Sequence, residues 1–214
     1  MKIKWLGHSS FLITAGNGTR IIADPFGDYP GLSYNPIRET SEVVIISHDH
    51  GDHKGAKIKG DHKVVTGAGR KEIAGIEIDG LNSYHDTSKG SERGANTVFC
   101  VTVDGMRICH MGDLGHDLSE SEIAGIGRVD ILMIPVGGFY TIDAGTASAI
   151  CDRIRPRVVF PMHYRTDKCA FPITGVDDFL EGKSDVKKVD TSEVELTSES
   201  LPAKTQIVVL KHAQ

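Results

Sequence analysis

Residues 43–53 read VVIISHDHGDH, an apolar run followed at once by a dense cluster of metal-binding side chains. The four β-branched residues predict a buried strand, and the cluster begins where that strand would end. It places three imidazoles and one carboxylate within six positions: His48, His50, Asp52 and His53. Histidine and aspartate at this density are typical of a site for divalent metal ions. A hydrogen-bonded loop, the alternative interpretation, does not account for so many histidines.

The spacing within this cluster predicts ligands for more than one metal ion. Side chains two positions apart, such as His48 and His50, share a face of an extended strand but lie about 200° apart on a helix. They converge only if the strand continues into a turn, which Gly51 permits. Asp52 and His53, displaced by that turn, would then point at a neighbouring position. One loop would thereby serve two metal ions.

Two catalytic metal ions need more ligands than this loop provides, because each takes about three protein groups and keeps a position for water. Three further candidates follow predicted strands: His85 in SYHD, Asp113 in MGDLG and His163 in FPMHY. We therefore predict that these three side chains join the same site. His110 is expected on the opposite face of its strand, as a packed structural histidine.

The wider pattern predicts an α/β fold. Short apolar or β-branched runs between turn residues predict strands at residues 2–6, 11–15, 20–23, 43–47, 63–66, 73–78, 97–103, 106–110, 131–135, 158–161 and 206–210. Helices are predicted at residues 119–125, 143–154 and 176–181, with Thr141 as the candidate cap of the second. This order favours two sheets packed face to face with helices outside, an αββα four-layer sandwich. Since no stretch reads as a linker, residues 1–214 are expected to form a single domain.

The order of these motifs resembles that of the metallo-β-lactamase superfamily over nearly the whole chain. The opening WLGHSSF at residues 5–11 and the segment IADP at residues 22–25 further resemble small metal-dependent hydrolases related to L-ascorbate-6-phosphate lactonase. The resemblance implies a metallo-β-lactamase-like fold, with Asp24 supporting the metal loop by hydrogen bonds. It also implies that one metal ion is held by His48, His50 and His85, the other by Asp52, His53 and His163, and both by a bridging Asp113.

The function implied is that of a metal-dependent hydrolase, which uses a dinuclear site and a bridging hydroxide on a small ester, lactone or phosphorylated metabolite. Zn²⁺ suits such ligands best, and Mn, Fe, Ni or Co could occupy the same site. Asp52 is expected to orient the attacking water, and His8 or His116 to protonate the leaving group. The candidate substrate-binding residues near the ligand segments are Arg93, Asn96, Tyr140 and Arg165.

Charge, hydropathy and cysteine content limit the classes of binding partner and the cellular location that we expect. A net charge of −5 without a visible basic groove argues against nucleic acid, so a phosphodiesterase or nuclease of the same superfamily is the second candidate function. A non-enzymatic metal-binding protein is the third. No run is long and apolar enough to predict a membrane span. Four cysteines without a CxxC pair, and first residues unlike a signal peptide, predict a cytoplasmic protein with reduced thiols.

Overall fold

The computed structural model describes all residues, 1–214. Most of its secondary structure is β-strand. The strands are β1 (Lys2–Gly7), β2 (Ser10–Thr14), β3 (Arg20–Ala23), β4 (Val43–Ile46), β5 (Lys63–Thr66), β6 (Gly69–Ile73), β7 (Ile76–Tyr84), β8 (Ala95–Val103), β9 (Met106–His110), β10 (Ile131–Pro135), β11 (Val158–Met162), β12 (Val186–Lys188), β13 (Glu193–Glu195) and β14 (Gln206–Val209). The helices are α1 (Gly51–Lys54), α2 (Glu120–Ile126), α3 (Ala144–Ile154) and α4 (Asp177–Leu180). None of these helices has the length and apolarity that crossing a membrane requires.

The strands form two mixed sheets. The first has the order β13-β1-β2-β3-β4-β5, and the second has the order β12-β14-β11-β10-β9-β8-β7-β6. Strands β9, β10 and β11 are parallel neighbours, and β7 runs in their direction because β8 is antiparallel to both β7 and β9. The loops that follow β7, β9 and β11 therefore leave the second sheet at the same edge.

The two sheets pack face to face around one large apolar core. Successive side chains of a strand alternate between its faces, so Phe11 and Ile13 enter this core whereas Leu12 points to the other side of the first sheet. Phe160 of β11 meets Phe11 across the interface, with ring centres 6.1 Å apart. The predicted two-sheet arrangement is thus present, and it leaves each sheet with an outer face to cover.

The two outer faces are covered differently. Helices α2, α3 and α4 add Ile126, Ile150 and Phe179 to the core of the second sheet. The first sheet is covered instead by an irregular segment, in which Phe26 and Ile37 pack with outward-facing side chains of the sheet. The helical layer on that side is reduced to the single turn of α1, which carries part of the metal motif.

Most predicted strands and all three predicted helices are confirmed. The strand predicted at residues 73–78 is wrong, because Ala74 and Gly75 have φ angles of 54° and 75° and form the tight turn between β6 and β7. The cap predicted at Thr141 is also wrong. Asp143 caps α3 by accepting a 2.8 Å hydrogen bond from the backbone N–H of Thr146.

We expect Phe160→Ala to lower the free energy of unfolding by about 3–5 kcal/mol, because it deletes a buried ring between the two sheets. Urea denaturation of the metal-free protein, followed by circular dichroism, measures this loss. Val64→Ala serves as the control, since Val64 is 55% exposed and its truncation should change stability by less than about 0.5 kcal/mol. Equal stability of the two variants would contradict the described packing.

Candidate metal centre

All seven predicted metal ligands lie at one edge of the sandwich. His48 and His50 stand in the loop that follows β4, and Asp52 and His53 belong to the turn of α1. The others directly follow β7, β9 and β11, and they are His85, Asp113 and His163. The parallel direction of these strands is what brings residues so distant in sequence to the same place.

The carboxylate of Asp113 is the centre of this cluster. Its Oδ2 atom lies 3.2 Å from the Nε2 atoms of three imidazoles, those of His53, His85 and His163. The Nε2 atom of His48 is 3.8 Å away. Asp113 is 1% exposed, so this carboxylate is shielded from bulk water.

The remaining ligand atoms fall into two groups around that carboxylate. One group contains His48, His50 and His85, whose ligand atoms all lie within 4.8 Å of one another. The other contains Asp52, His53 and His163, together with His8, and meets the same distance limit. This division is the one that the resemblance implies, with His8 as an additional member. Asp113 contacts histidines of both groups.

Several buried atoms of the cluster have no hydrogen-bond partner in the protein. Among them are the Nε2 atoms of His48 and His53 and the Oδ1 atoms of Asp52 and Asp113. Buried polar atoms are nearly always paired, so a convergent set of free lone pairs fits a site for cations. Imidazole nitrogen with carboxylate oxygen is a donor set that Zn²⁺ and related divalent ions accept. The residues present therefore fit the binding of divalent metal ions.

Electrostatics favour the metal-binding protonation states at most of these positions. Burial and the neighbouring His53 lower the pKa of His48 to about 3. Burial opposes ionisation of Asp113, but His163 and His53 outweigh it and hold its pKa well below the usual range. His53 differs because Asp113 and Asp24 overcome the effect of burial and raise its pKa. Neutral imidazoles and ionised carboxylates are the forms that coordinate metals.

Asp24 fixes the orientation of two histidine rings. Its Oδ2 atom accepts hydrogen bonds from the Ser47 hydroxyl at 2.6 Å and from Nδ1 of His53 at 2.9 Å. Because the Ser47 hydroxyl donates to Asp24, it accepts from Nδ1 of His48, 2.9 Å away. Both rings consequently carry a proton on Nδ1 and turn Nε2 toward the centre.

We expect Asp24→Asn to weaken zinc binding by about 10–100-fold, because an amide keeps one accepting oxygen where the carboxylate uses two, for Ser47 and for Nδ1 of His53. Asparagine suits the φ of 43° at this position, so the backbone should be undisturbed. Competition with a chromogenic chelator measures the affinity. Asp130→Asn is the matched control, since Asp130 is also buried but hydrogen-bonds Arg107 away from the cluster. Equal affinities in the two variants would contradict this role for Asp24.

Two glycines allow the ligand loops to approach one another closely. A Cβ atom on Gly115 would overlap the backbone of His85, and one on Gly137 would overlap the carbonyl of His163. Any larger residue at these positions would push a ligand loop outward. The close approach thus holds His85 and His163 at the distances described above.

A cavity of about 560 Å³ opens above the cluster. Its floor is formed by five of the ligand residues, namely His50, Asp52, His85, Asp113 and His163. Its walls are formed by Tyr29, Pro30, Arg93, Tyr140 and Phe171. Reactive groups on the floor are therefore accessible to a small molecule, while apolar side chains line much of the approach.

Residues 2–163 match the model of a family described as the beta-lactamase superfamily domain. The chain is also similar to a solved structure, a proposed zinc-dependent hydrolase of the metallo-β-lactamase superfamily from Thermotoga maritima. That match has a TM-score of 0.81 and 34% identity, and it covers 98% of this chain and 97% of the other. This chain belongs to the metallo-β-lactamase superfamily. The predicted family and its layered α/β fold are confirmed.

Curated relatives of this superfamily member are named metal-dependent hydrolases. One from Nitratidesulfovibrio vulgaris, a UPF0173 metal-dependent hydrolase, is 32% identical over 212 residues, covering 80% of this chain and 82% of the relative. Another of that name from Archaeoglobus fulgidus is 27% identical over 208 residues, covering 83% and 87%. The chain is accordingly a metal-dependent hydrolase. The narrower resemblance to L-ascorbate-6-phosphate lactonase stays a prediction.

Two of the predicted substrate-binding residues do not reach the cavity of this hydrolase. Asn96 is buried, where its Nδ2 donates to the carbonyl of Met111 at 2.9 Å and its Oδ1 accepts from the backbone N–H of Asp113 at 3.0 Å. It positions the loop of the central carboxylate and cannot touch substrate. Arg165 is exposed outside the cavity. Arg93 and Tyr140, by contrast, both line it.

The two predicted proton donors also lie outside the cavity. His8 is completely buried beneath the cluster, with its Nε2 atom 3.3 Å from Oδ2 of Asp52. In His116 the Nδ1 atom lies 2.8 Å from the carbonyl of Asp117, and Nε2 accepts a 3.4 Å hydrogen bond from the backbone N–H of Tyr84. Neither ring lines the cavity, so this placement does not support the predicted proton-donor roles of His8 and His116, which stay predictions.

Sequence reasoning missed three residues of the cavity wall. Tyr29, Pro30 and Phe171 come from loops that carry no motif, and no spacing relates them to the metal ligands. The sequence offered no signal for them beyond their aromatic or rigid character. His110 is buried as predicted, and its Nε2 atom donates to the carbonyl of Ser9 at 2.8 Å.

Proposed function

We propose that residues 1–214 form one domain that hydrolyses a small ester, lactone or phosphorylated metabolite at a dinuclear metal site. The observation that carries this proposal is the position of Asp113, whose Oδ2 atom contacts histidines of both ligand groups. A single carboxylate between two groups of imidazoles is suited to bridging two ions. Zn²⁺ is the proposed metal, because most of the donors are imidazole nitrogens.

The proposed ligands are His48, His50 and His85 for one ion and Asp52, His53 and His163 for the other, with Asp113 shared. When bound, two such ions supply a water activated near neutral pH and polarise the oxygen under attack. The protein then needs no serine or cysteine nucleophile.

Asp52 has the placement needed to handle the proton of the attacking water. It lines the cavity, and its Oδ1 atom has no hydrogen-bond partner. Its Oδ2 atom lies 3.3 Å from Nε2 of His8, which holds the carboxylate from below. We assign Asp52 the orientation of this water and give His8 a positioning role. Arg93 and Tyr140 are the proposed substrate contacts.

A cytoplasmic location is part of the proposal. All four cysteines are free, although Cys100 lies directly opposite Cys109 on the neighbouring strand. An oxidising compartment would favour cross-linking of thiols brought so close together. Both thiols are buried and stand outside the metal cluster.

Metal removal tests the proposed function. We expect about two zinc ions per chain by elemental analysis, and loss of all hydrolysis after dialysis against a chelator, because the cluster supplies the only activated water. Added Zn²⁺ should restore it. The assay panel contains lactones, aryl esters and bis-para-nitrophenyl phosphate. A ratio near one would contradict the dinuclear site, hydrolysis of the phosphodiester alone would favour the nuclease class, and activity without metal would overturn the proposal.

A further inference from the structure

Four aromatic side chains form a continuous wall on one side of the cavity. The ring centres of Tyr29 and Phe171 are 6.1 Å apart, those of Phe171 and Tyr140 are 5.8 Å apart, and those of Tyr140 and Phe139 are 4.7 Å apart. All three contacts are edge-to-face, the arrangement that aromatic pairs prefer. These four residues are called the aromatic wall below. Tyr29, Phe171 and Tyr140 line the cavity, and Phe139 extends the wall outward from Tyr140.

Phe139 is the outermost member of the aromatic wall. Packing alone does not explain why a phenylalanine stands at this position. The side chain is 64% exposed, and the backbone has a φ of 62°. A bulky residue in the left-handed region is uncommon, since the side chain crowds its own backbone. The fold therefore holds a large apolar ring in solvent, next to the cavity residue Tyr140, at an energetic cost. Such strain is concentrated at ligand-binding sites.

Arg93 is the one cationic side chain that lines this cavity. Its guanidinium carbon lies 5.8 Å from the ring centre of Tyr140, and no carboxylate of the protein forms an ion pair with it. The guanidinium is thus free to bind an anion beside the aromatic wall. A planar guanidinium matches carboxylate and phosphate oxygens in paired hydrogen bonds.

The loop that carries Arg93 is tied to the metal centre. Asp86, which directly follows the ligand His85, is 3% exposed and accepts a 2.7 Å hydrogen bond from the backbone N–H of Arg93. The same carboxylate accepts three more backbone hydrogen bonds, from Ser88, Gly90 and Glu92. This support fixes the start of the Arg93 side chain relative to the metal ligands.

We propose that the substrate carries a flat apolar body and one oxyanion, with Arg93 binding the carboxylate or phosphate and the aromatic wall covering the body. This inference rests on the proposed hydrolytic function, because it assumes that the reacting bond lies over the metal ligands. A polyhydroxylated substrate fits less well, since its hydroxyl groups would face Phe139 and Phe171, which offer no hydrogen bonds.

Calorimetric titration of the zinc-loaded full chain tests this substrate class with three probes of one shape: 2-naphthoate, 2-naphthyl phosphate and neutral 2-naphthamide. We expect Arg93→Gln to lower the affinity for both anions about tenfold, because a charge-assisted contact is lost. The affinity for the neutral amide should fall less than about twofold. The larger loss of the two identifies a carboxylate or a phosphate. Arg165→Gln removes the same charge outside the cavity and should change no affinity.

A second variant tests the aromatic wall. In Phe139→Asn the asparagine suits the positive φ, and the exposed ring is removed. We therefore expect the affinity for all three probes to fall by about five- to tenfold. Val64→Asn, a polar substitution at another exposed apolar residue, is the control and should have no effect.

Some outcomes would overturn the substrate class alone. They are the absence of binding by any probe, equal losses in the two arginine variants, and equal losses for the anions and the amide after Arg93→Gln. Hydrolysis of neutral para-nitrophenyl acetate, measured separately, reports on the proposed function. Binding as expected without hydrolysis of any ester, lactone or phosphate would instead refute that function.

Discussion

Asp113→Asn should abolish the metal centre while preserving its shape. The substitution removes the one carboxylate oxygen that contacts histidines of both ligand groups, and it leaves those imidazoles without a shared negative charge. We expect the zinc content to fall from about two ions per chain to one or none, and kcat/KM to fall by about a thousandfold. Elemental analysis and hydrolysis of the best ester or lactone in the panel measure the two effects.

The control for this substitution is Asp130→Asn. Asp130 is also buried, and its carboxylate accepts a hydrogen bond from the backbone N–H of Arg107 outside the cluster, so the variant should retain metal and activity. Circular dichroism shows whether each variant is folded. Two zinc ions in folded Asp113→Asn protein would refute the bridging role, and so would activity within about tenfold of the wild type.

The sequence was most informative where one short segment contained several ligands. In residues 47–53 a strand end, Gly51 and four metal-binding side chains lie within one loop, so local spacing alone predicted their convergence. His85, Asp113 and His163 needed the resemblance as well, because strand order determines which loops meet. The supporting role of Asp24 was likewise predicted only from the resemblance. Its hydrogen bonds with Ser47 and His53 agree with that role.

Sequence reasoning failed where tertiary packing decides the direction of a side chain. Asn96 and His8 both stand next to functional segments, yet each turns into the interior. Asn96 accepts a hydrogen bond from the backbone N–H of Asp113, and His8 lies against the carboxylate of Asp52. The aromatic wall shows a second kind of failure, in which residues that line the cavity were not predicted at all. Tyr29 and Phe171 are 142 positions apart, and only the irregular segment over the first sheet brings them together. No local pattern records such a contact.

The turn at Ala74 and Gly75 is a third kind of failure. The residues on both sides of the turn read as a single strand, because Ile73, Ala74, Ile76 and Ile78 form a nearly continuous apolar run. The structure instead places Ile73 opposite Ile76 in a hairpin. The Ala-Gly pair gives a weaker turn signal than the Asp-Gly pair at residues 104–105, which separates β8 from β9.

His50→Ala should stop hydrolysis without weakening the fold. His50 is the exposed ligand: it lines the cavity, and its ring lies 4.6 Å from that of His48 and 5.1 Å from that of His85. Its removal therefore opens no hole in the core, and the free energy of unfolding of the metal-free protein should change by less than about 0.5 kcal/mol. We expect about one zinc ion per chain and a loss of turnover of at least about a hundredfold.

This substitution separates metal binding from folding more cleanly than Asp113→Asn, because Asp113 is buried and His50 is not. His62→Ala removes an imidazole from a loop outside the cluster, and it should keep both zinc ions and full activity. Urea denaturation with and without zinc completes the test: the metal should stabilise the wild type more than His50→Ala, because the variant binds fewer ions. Retained turnover in His50→Ala would show that hydrolysis does not depend on its ligand group, and the dinuclear mechanism would then be wrong.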